Sequence, residues 1–170
     1  MKEVIEYFRD SWQQDFSKFT YSGWELLNHI DQDESILDVG CGYNPFKNRH
    51  ENVWGIDPAI DAADELVSIK DFNCYNQWDV VLVLGSLNFG TKDLVRSQVE
   101  KAVSFCRSGG RIYWRQNPGD NDHPYPGIEK IKFFGWTFED NYQWAEEFGC
   151  EVIECKWDTG NRIYAEWRKL

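Results

Sequence analysis

Three things are scarce in this chain: paired cysteines, long apolar runs and basic residues. The five cysteines, Cys41, Cys74, Cys106, Cys150 and Cys155, are odd in number and form no CxxC pair. That pattern indicates neither a disulfide framework nor a zinc knuckle, so reduced thiols, a cytoplasmic setting and no metal site are expected. No apolar run approaches membrane-spanning length, and the charged start Met1-Lys2-Glu3-Val4-Ile5-Glu6 lacks the apolar centre of a signal peptide. A soluble protein with no membrane partner is the expectation. Lysine and arginine number 18 against 29 acidic residues, a net charge of −11. Such a charge repels a phosphate backbone and disfavours bulk DNA or RNA as a partner. There is no internal repeat, low-complexity tract or interdomain linker. With 170 residues, 42% of them hydrophobic and 16% aromatic, the chain is long enough for one well-packed core and is read as a single domain, 1–170.

What is present is concentrated in Ile36-Leu37-Asp38-Val39-Gly40-Cys41-Gly42 and in Val53-Trp54-Gly55-Ile56-Asp57. An apolar run broken by two glycines, then a second apolar run ending on a carboxylate, describes adjacent parallel strands whose tips bind a nucleoside. The small residues let backbone approach the ligand. Asp57 follows Asp38 by close to the ~20 residues expected of an acid that takes ribose hydroxyls.

Around this pair, apolar spacing from Val4 to Ile30 fits one or two amphipathic helices covering an edge of the sheet, an N-terminal cap over 1–30. Ser35–Val39, Asn52–Ile56, Leu66–Ile69 and Trp78–Leu84 are short apolar runs of the kind buried parallel strands show. Asn44-Pro45 should stunt the crossover helix after the first strand. Thr91 caps a helix whose apolar stripe ends before Gly109-Gly110, and Arg111–Gln116 reads as a fifth strand. Residues 117–135, with three Pro and three Gly, form a long loop over the strand ends, where a substrate would enter. Thr137-x-x-Asp140 opens a last helix, and Cys150–Trp157 and Arg162–Trp167 close the chain as a hairpin, with one strand antiparallel to the rest.

These motifs in this order resemble the class I S-adenosylmethionine-dependent methyltransferases. The resemblance implies an α/β fold of three layers, Rossmann-like, with a mostly parallel seven-stranded sheet and a C-terminal antiparallel hairpin. It implies S-adenosyl-L-methionine as cofactor, with Asp38, Gly40, Cys41 and Gly42 around its methionine end and Asp57 on the ribose. It places Asp71 and Phe72 at the adenine, and Leu84, Gly85 and Ser86 over the sulfonium. Asn44 stands where the fuller GxGxG pattern has a third glycine. A carboxylate beside the glycines suits a cofactor carrying a sulfonium and an ammonium but no phosphate.

Methyl transfer needs in-line placement, and a base only where the acceptor is protonated. No catalytic motif is therefore required; His123, in the Pro-rich loop, and Asn88 are the candidates for a base and for polarising the acceptor. Trp12 and Tyr21 could cover the cofactor. No Asn-Pro-Pro-aromatic motif follows the fourth strand, where Ser86-Leu87-Asn88-Phe89 stands, so a small molecule or a protein side chain is favoured over a DNA base as acceptor. The alternatives are a non-catalytic cofactor-binding or partner-binding module of the same fold and, with Asp120 and Asp122 as its acids, an aminopropyl transferase.

Overall fold

A computed structural model describes residues 2–119 and 123–170. Seven strands form one sheet in the order β3-β2-β1-β4-β5-β7-β6, where β1 is Ile36–Val39, β2 Val53–Asp57, β3 Glu65–Leu66, β4 Trp78–Leu84, β5 Cys106–Gln116, β6 Cys150–Asp158 and β7 Arg162–Lys169. The first five pair in parallel; β7 is antiparallel to both β5 and β6. The chain runs outward from β1 to β3, then crosses back to β4 on the other side. A crevice outside the carboxyl ends of β1 and β4 follows from that switch.

Side chains alternate across the sheet. Leu37, Val39, Val81, Val83, Ile112, Trp114 and Trp167 face one way and meet helices α2 (Lys92–Phe105) and α3 (Phe138–Glu147) in the main core. Thr91 caps α2 by accepting from the Leu94 amide, and Thr137 with Asp140 closes a reciprocal capping box on α3. Ile36, Val80, Leu82, Tyr113 and Tyr164 face the other way. Among the described residues no long helix covers them, because the crossover after β1 is cut to the 3-10 turn Pro45–Asn48.

The N-terminal segment takes that place, which corrects the expectation that it covers an edge of the sheet. It forms one α-helix, α1 (Lys2–Asp10), and two 3-10 turns, Phe16–Lys18 and Trp24–Asn28. It covers a face of the sheet and not an edge: Phe16, Trp24, Leu26 and Ile30 pack on the second core. Two strands also differ from expectation. β3 is only Glu65–Leu66, both exposed, and β5 begins at Cys106, before the glycines, its register with β4 jumping from Trp78↔Cys106 to Val80↔Arg111. Gly110 sits in that irregular stretch, where an added Cβ would lie 2.7 Å from the Asp79 carbonyl oxygen. Among the described residues no helix is long and apolar enough to cross a membrane.

Candidate functional site

The carboxyl ends of β1, β2 and β4 open into a cavity of about 850 Å³. Its rim includes Gly40 after β1, Asp57 at the tip of β2, and Gly85 to Phe89 after β4; Ser68 to Asp71 close one end, and α1 and the loop at 123–133 the other. Among the described residues no group of His, Cys, Asp and Glu is placed to hold a metal.

Gly40 takes φ +71°, and a Cβ there would lie 2.2 Å from Cβ of Ser86. Only glycine meets both demands, the left-handed backbone and the contact with the β4 tip. Ser86 fixes that contact by donating its hydroxyl to the Val39 carbonyl at 2.5 Å. Gly40→Ala is expected to cost about 2–3 kcal/mol from left-handed strain and overpacking together. Urea unfolding would measure it, and a loss under ~0.5 kcal/mol would contradict this account of the loop.

Asn44, at the third glycine position, also adopts a left-handed conformation, φ 54° and ψ 48°. Asparagine tolerates that region better than other L-residues, which explains the replacement. Its Nδ2 donates to Asp64 at 3.1 Å, and the same Asp64 oxygen accepts the Gly55 amide at 2.8 Å. Lys47 pairs with Asp64 as well. A Cβ on Gly55 would come within 2.8 Å of Asn44 and 2.7 Å of the Cys41 sulfur, so the strand lacks a side chain where the loop rests on it. Sequence reading passed over Gly55 and Asp64, although an isolated glycine inside a strand signals close backbone approach.

Asp57 is 7% exposed and lines the cavity. Its Oδ2 accepts the Gly42 amide at 3.0 Å, and its Oδ1 those of Ala59 at 2.7 Å and Ile60 at 2.9 Å. Burial raises its carboxyl above the usual range and the three amides pull it back. A carboxylate offers about four lone-pair directions, so after three amides one on Oδ2 is left for a ligand hydroxyl.

Asp38 is different. It is 3% exposed, and its carboxyl is pushed up from 3.8 to about 7 by burial and then by the neighbouring Asp57, with no hydrogen bond among the causes. A carboxylate buried without a donor is costly unless a cation joins it.

The remaining candidates divide. Gly85 and Ser86 line the cavity, as does Asp71, exposed and accepting from the Ser68 hydroxyl at 2.7 Å. Phe72 does not line it; the ring lies in the main core, 5.4 Å from Phe105, and Val67, Ser68 and Ile69 form that wall instead. Cys41 is buried, its thiol pushed far up by desolvation, so it is no nucleophile. Gly42 lies beneath Trp12, whose ring would be 3.2 Å from an added Cβ and stacks on Tyr43 at 6.0 Å. Tyr21 is turned away, against Tyr164. Asn88 donates to the Gly85 carbonyl at 2.8 Å and accepts the Asn117 amide at 2.9 Å, so both ends of its amide tie the β4 tip to the end of β5. His123 lines the cavity and shares a 3.0 Å hydrogen bond with Tyr7 of α1. Asp120 and Asp122 lie outside the described residues.

No family model and no curated protein matches the sequence. Solved structures do match. Magnesium protoporphyrin IX methyltransferase of Synechocystis, solved with S-adenosylmethionine, superposes with a TM-score of 0.73 at 11% identity, over 99% of this chain and 96% of that one. The chain has the fold of the class I S-adenosylmethionine-dependent methyltransferases. The 1,6-didemethyltoxoflavin-N1-methyltransferase of Burkholderia thailandensis, solved with its acceptor and S-adenosylhomocysteine, has a TM-score of 0.71 at 14% identity, over 91% and 79% of the two chains. An amino pentose methyltransferase of Micromonospora echinaspora has 0.61 at 18%, over 85% and 88%. In this methyltransferase fold the cavity occupies the switch point between β1 and β4, with the closing hairpin at the far edge of the sheet.

Proposed function

We propose that the protein transfers a methyl group from S-adenosylmethionine to an acceptor that is a small molecule or a protein side chain, not a polynucleotide. The observation that carries this reading is a pair of neighbouring acids, Asp57, which lines the cavity, and Asp38 at the tip of β1, which lies outside the lining beside it, buried and with no hydrogen-bond donor among the described residues. A ligand bearing an ammonium and a sulfonium supplies the missing positive charge; a nucleotide phosphate would sharpen the repulsion. The residues fit that ligand: Gly40 leaves room, Asp38 adds a second carboxyl beside Asp57, Asp57 retains an acceptor for a ribose hydroxyl, and Val67 and Ile69 offer an apolar wall for a base, whereas Gly42 lies outside the lining. When bound, the cofactor supplies an electrophilic methyl carbon and a neutral thioether leaving group. The chain's part is to hold it under Trp12 and Ser86, exclude water, and admit the acceptor along the face lined by Asn88 and Phe89. The three solved neighbours are named for small-molecule acceptors, which agrees with a net charge of −11 that opposes nucleic acid.

Calorimetric titration with S-adenosylhomocysteine tests the reading. The wild-type chain is expected to bind, and Asp57→Ala to weaken binding by at least ~10-fold, the worth of one charge-assisted hydrogen bond. Absence of binding by the wild-type chain would overturn the proposal. Binding without methylation of any component of a cell extract, given labelled donor, would favour the non-catalytic module instead.

A further inference from the structure

β6 ends the sheet: among the described residues it pairs on one side only, with β7, and its other side is a strand edge over Cys150–Asp158. The unpaired amides and carbonyls of such an edge are a template for another strand, and proteins blunt them with proline, unopposed charge or bulges. β6 has no proline, and each of its acids has a cation beside it: Glu151 pairs with Arg168, Glu154 with Lys156 at 2.9 Å, and Asp158 with Arg115. In a chain of net charge −11 this edge is locally neutral. A bulge between Val152 and Glu154 breaks the register with β7 and leaves Glu154–Asp158 regular.

Apolar surface runs along the same edge. Trp157 is 55% exposed and meets Phe138 of α3 edge to face, ring centroids 5.2 Å apart. At about 100° per residue, Tyr142 lies roughly 40° from Phe138 around α3. It is also 55% exposed. Glu147, on the opposite flank of α3, pairs with Arg96 of α2, so Phe138 and Tyr142 flank the helix on the side toward the free edge. Glu139 and Glu146, both exposed, fall between the two flanks on the crest that faces away from the sheet.

A second copy of the chain matches this edge. In an antiparallel pair of identical strands related by a two-fold axis, opposite residues share a face, so the axis falls on a residue. An axis at Cys155 puts Cys155 opposite Cys155, Glu154 opposite Lys156 and Lys156 opposite Glu154. Glu154 and Lys156 lie on one face, beside Glu166 and Tyr164 of β7, so the four side chains form a square of alternating charge. An axis at Glu154 sets Glu154 against itself, and one at Lys156 sets Lys156 against itself and Glu154 against Asp158; like charges directly opposite destabilise. An axis at Trp157 leaves only 156–158 in register.

We propose that the protein associates through β6 into a two-fold dimer whose sheet runs unbroken across both copies, with Cys155 on the axis and the Glu154–Lys156 pairs beside it. The axis is perpendicular to the sheet, so α3 of both copies lies on one side, and Phe138, Tyr142 and Trp157 of each copy cover that side of the seam. The bulge confines regular pairing to Glu154–Lys156, so association is weak and follows concentration. Lys156 reaches the seam from above Tyr21 of the N-terminal strap, its Nζ 3.6 Å from the ring centroid.

Sedimentation equilibrium of the full chain from about 1 to about 500 μM tests this. The wild-type mass is expected to rise toward twice that of one chain. Lys156→Glu and Glu154→Lys should each weaken self-association at least ~10-fold, because both facing pairs become like-charged. An equimolar mixture of these two variants should associate again, since every facing pair is then Glu with Lys. Trp157→Lys, at an exposed position, should also weaken association, and an unchanged thermal midpoint identifies the variants that are folded. Copper–phenanthroline in air, which takes two electrons and two protons from a pair of thiols and passes them to oxygen, should join wild-type copies through Cys155, whose Cα atoms at directly opposite positions fall within disulfide reach. Cys155→Ser should give no covalent dimer. A monomer at every concentration, folded charge variants that associate as the wild type does, or a dimer that Cys155 does not crosslink overturns the proposal.

Discussion

Asp38→Asn is expected to stabilise the ligand-free protein near pH 8 and, in the same variant, to weaken S-adenosylhomocysteine binding by about 10-fold or more. The two effects share one cause. Folding moves the Asp38 carboxyl from 3.8 to about 7 because it is buried beside Asp57. The folded chain therefore holds that proton more tightly than the unfolded chain does. Its contribution to stability is complete below about pH 4 and is lost as pH rises through about 7. Each tenfold change in proton affinity is worth about 1.4 kcal/mol, so near pH 8 the ionised group opposes the empty fold by about 2–4 kcal/mol. Asparagine keeps the shape and removes that penalty. The gain in thermal midpoint should be present near pH 8 and vanish near pH 4. Binding should show the reverse: in the wild type affinity tightens as pH rises through about 7, since the ligand's ammonium meets an ionised carboxylate, and in Asp38→Asn it is weaker and flatter. An asparagine variant that binds as well as the wild type at all pH values would remove Asp38 from the site.

Those two carboxylates were legible in the sequence because the signals are local. The glycines after β1, the acid ending β2, the apolar run of β4 and the capping pair Thr137 and Asp140 each lie within a few residues, and turn chemistry and period-two burial dictate them. The N-terminal segment was less legible. Its apolar residues fit a helical stripe, but the stunted turn Pro45–Asn48 leaves a sheet face bare, and filling it favours 3-10 turns carrying Phe16, Trp24 and Leu26 over continuous helix. Tertiary demand overrode propensity there. Phe72 could serve the core or the ligand on sequence grounds, and the position of Phe105 on α2 decides for the core. The Tyr7–His123 contact spans 116 positions and has no periodic trace at all.

The same holds for the contact that fastens this N-terminal segment, and breaking it should destabilise the fold more than Gly40→Ala does. Asp158 and Arg115 pair at 2.8 Å with side chains 0% and 6% exposed. Asp158 also accepts the amides of Tyr21 at 3.2 Å and Ser22 at 3.3 Å and the Ser22 hydroxyl at 2.5 Å; Arg115 donates to the Lys18 carbonyl at 2.8 Å. Burial alone would raise the Asp158 carboxyl, but Ser22, the Thr159 amide and Arg115 together hold it below its usual value. Its stabilisation is therefore present at neutral pH and lost as pH falls through the carboxylate range. Asp158→Ala takes the carboxylate from a buried guanidinium and from several donors at once, which should cost about 3–5 kcal/mol and lower the thermal midpoint by about 10 °C. Arg115→Met should cost less, because Asp158 keeps its amide and hydroxyl donors. Since Gln13, Gln14, Lys18 and Phe19 of the strap line the cavity, amide exchange in residues 11–23 should quicken in Asp158→Ala, and S-adenosylhomocysteine affinity should fall with it. A loss below ~1 kcal/mol, or equal losses for the two variants, would mean that the strap is held by its aromatic packing on the sheet and that the ion pair is incidental.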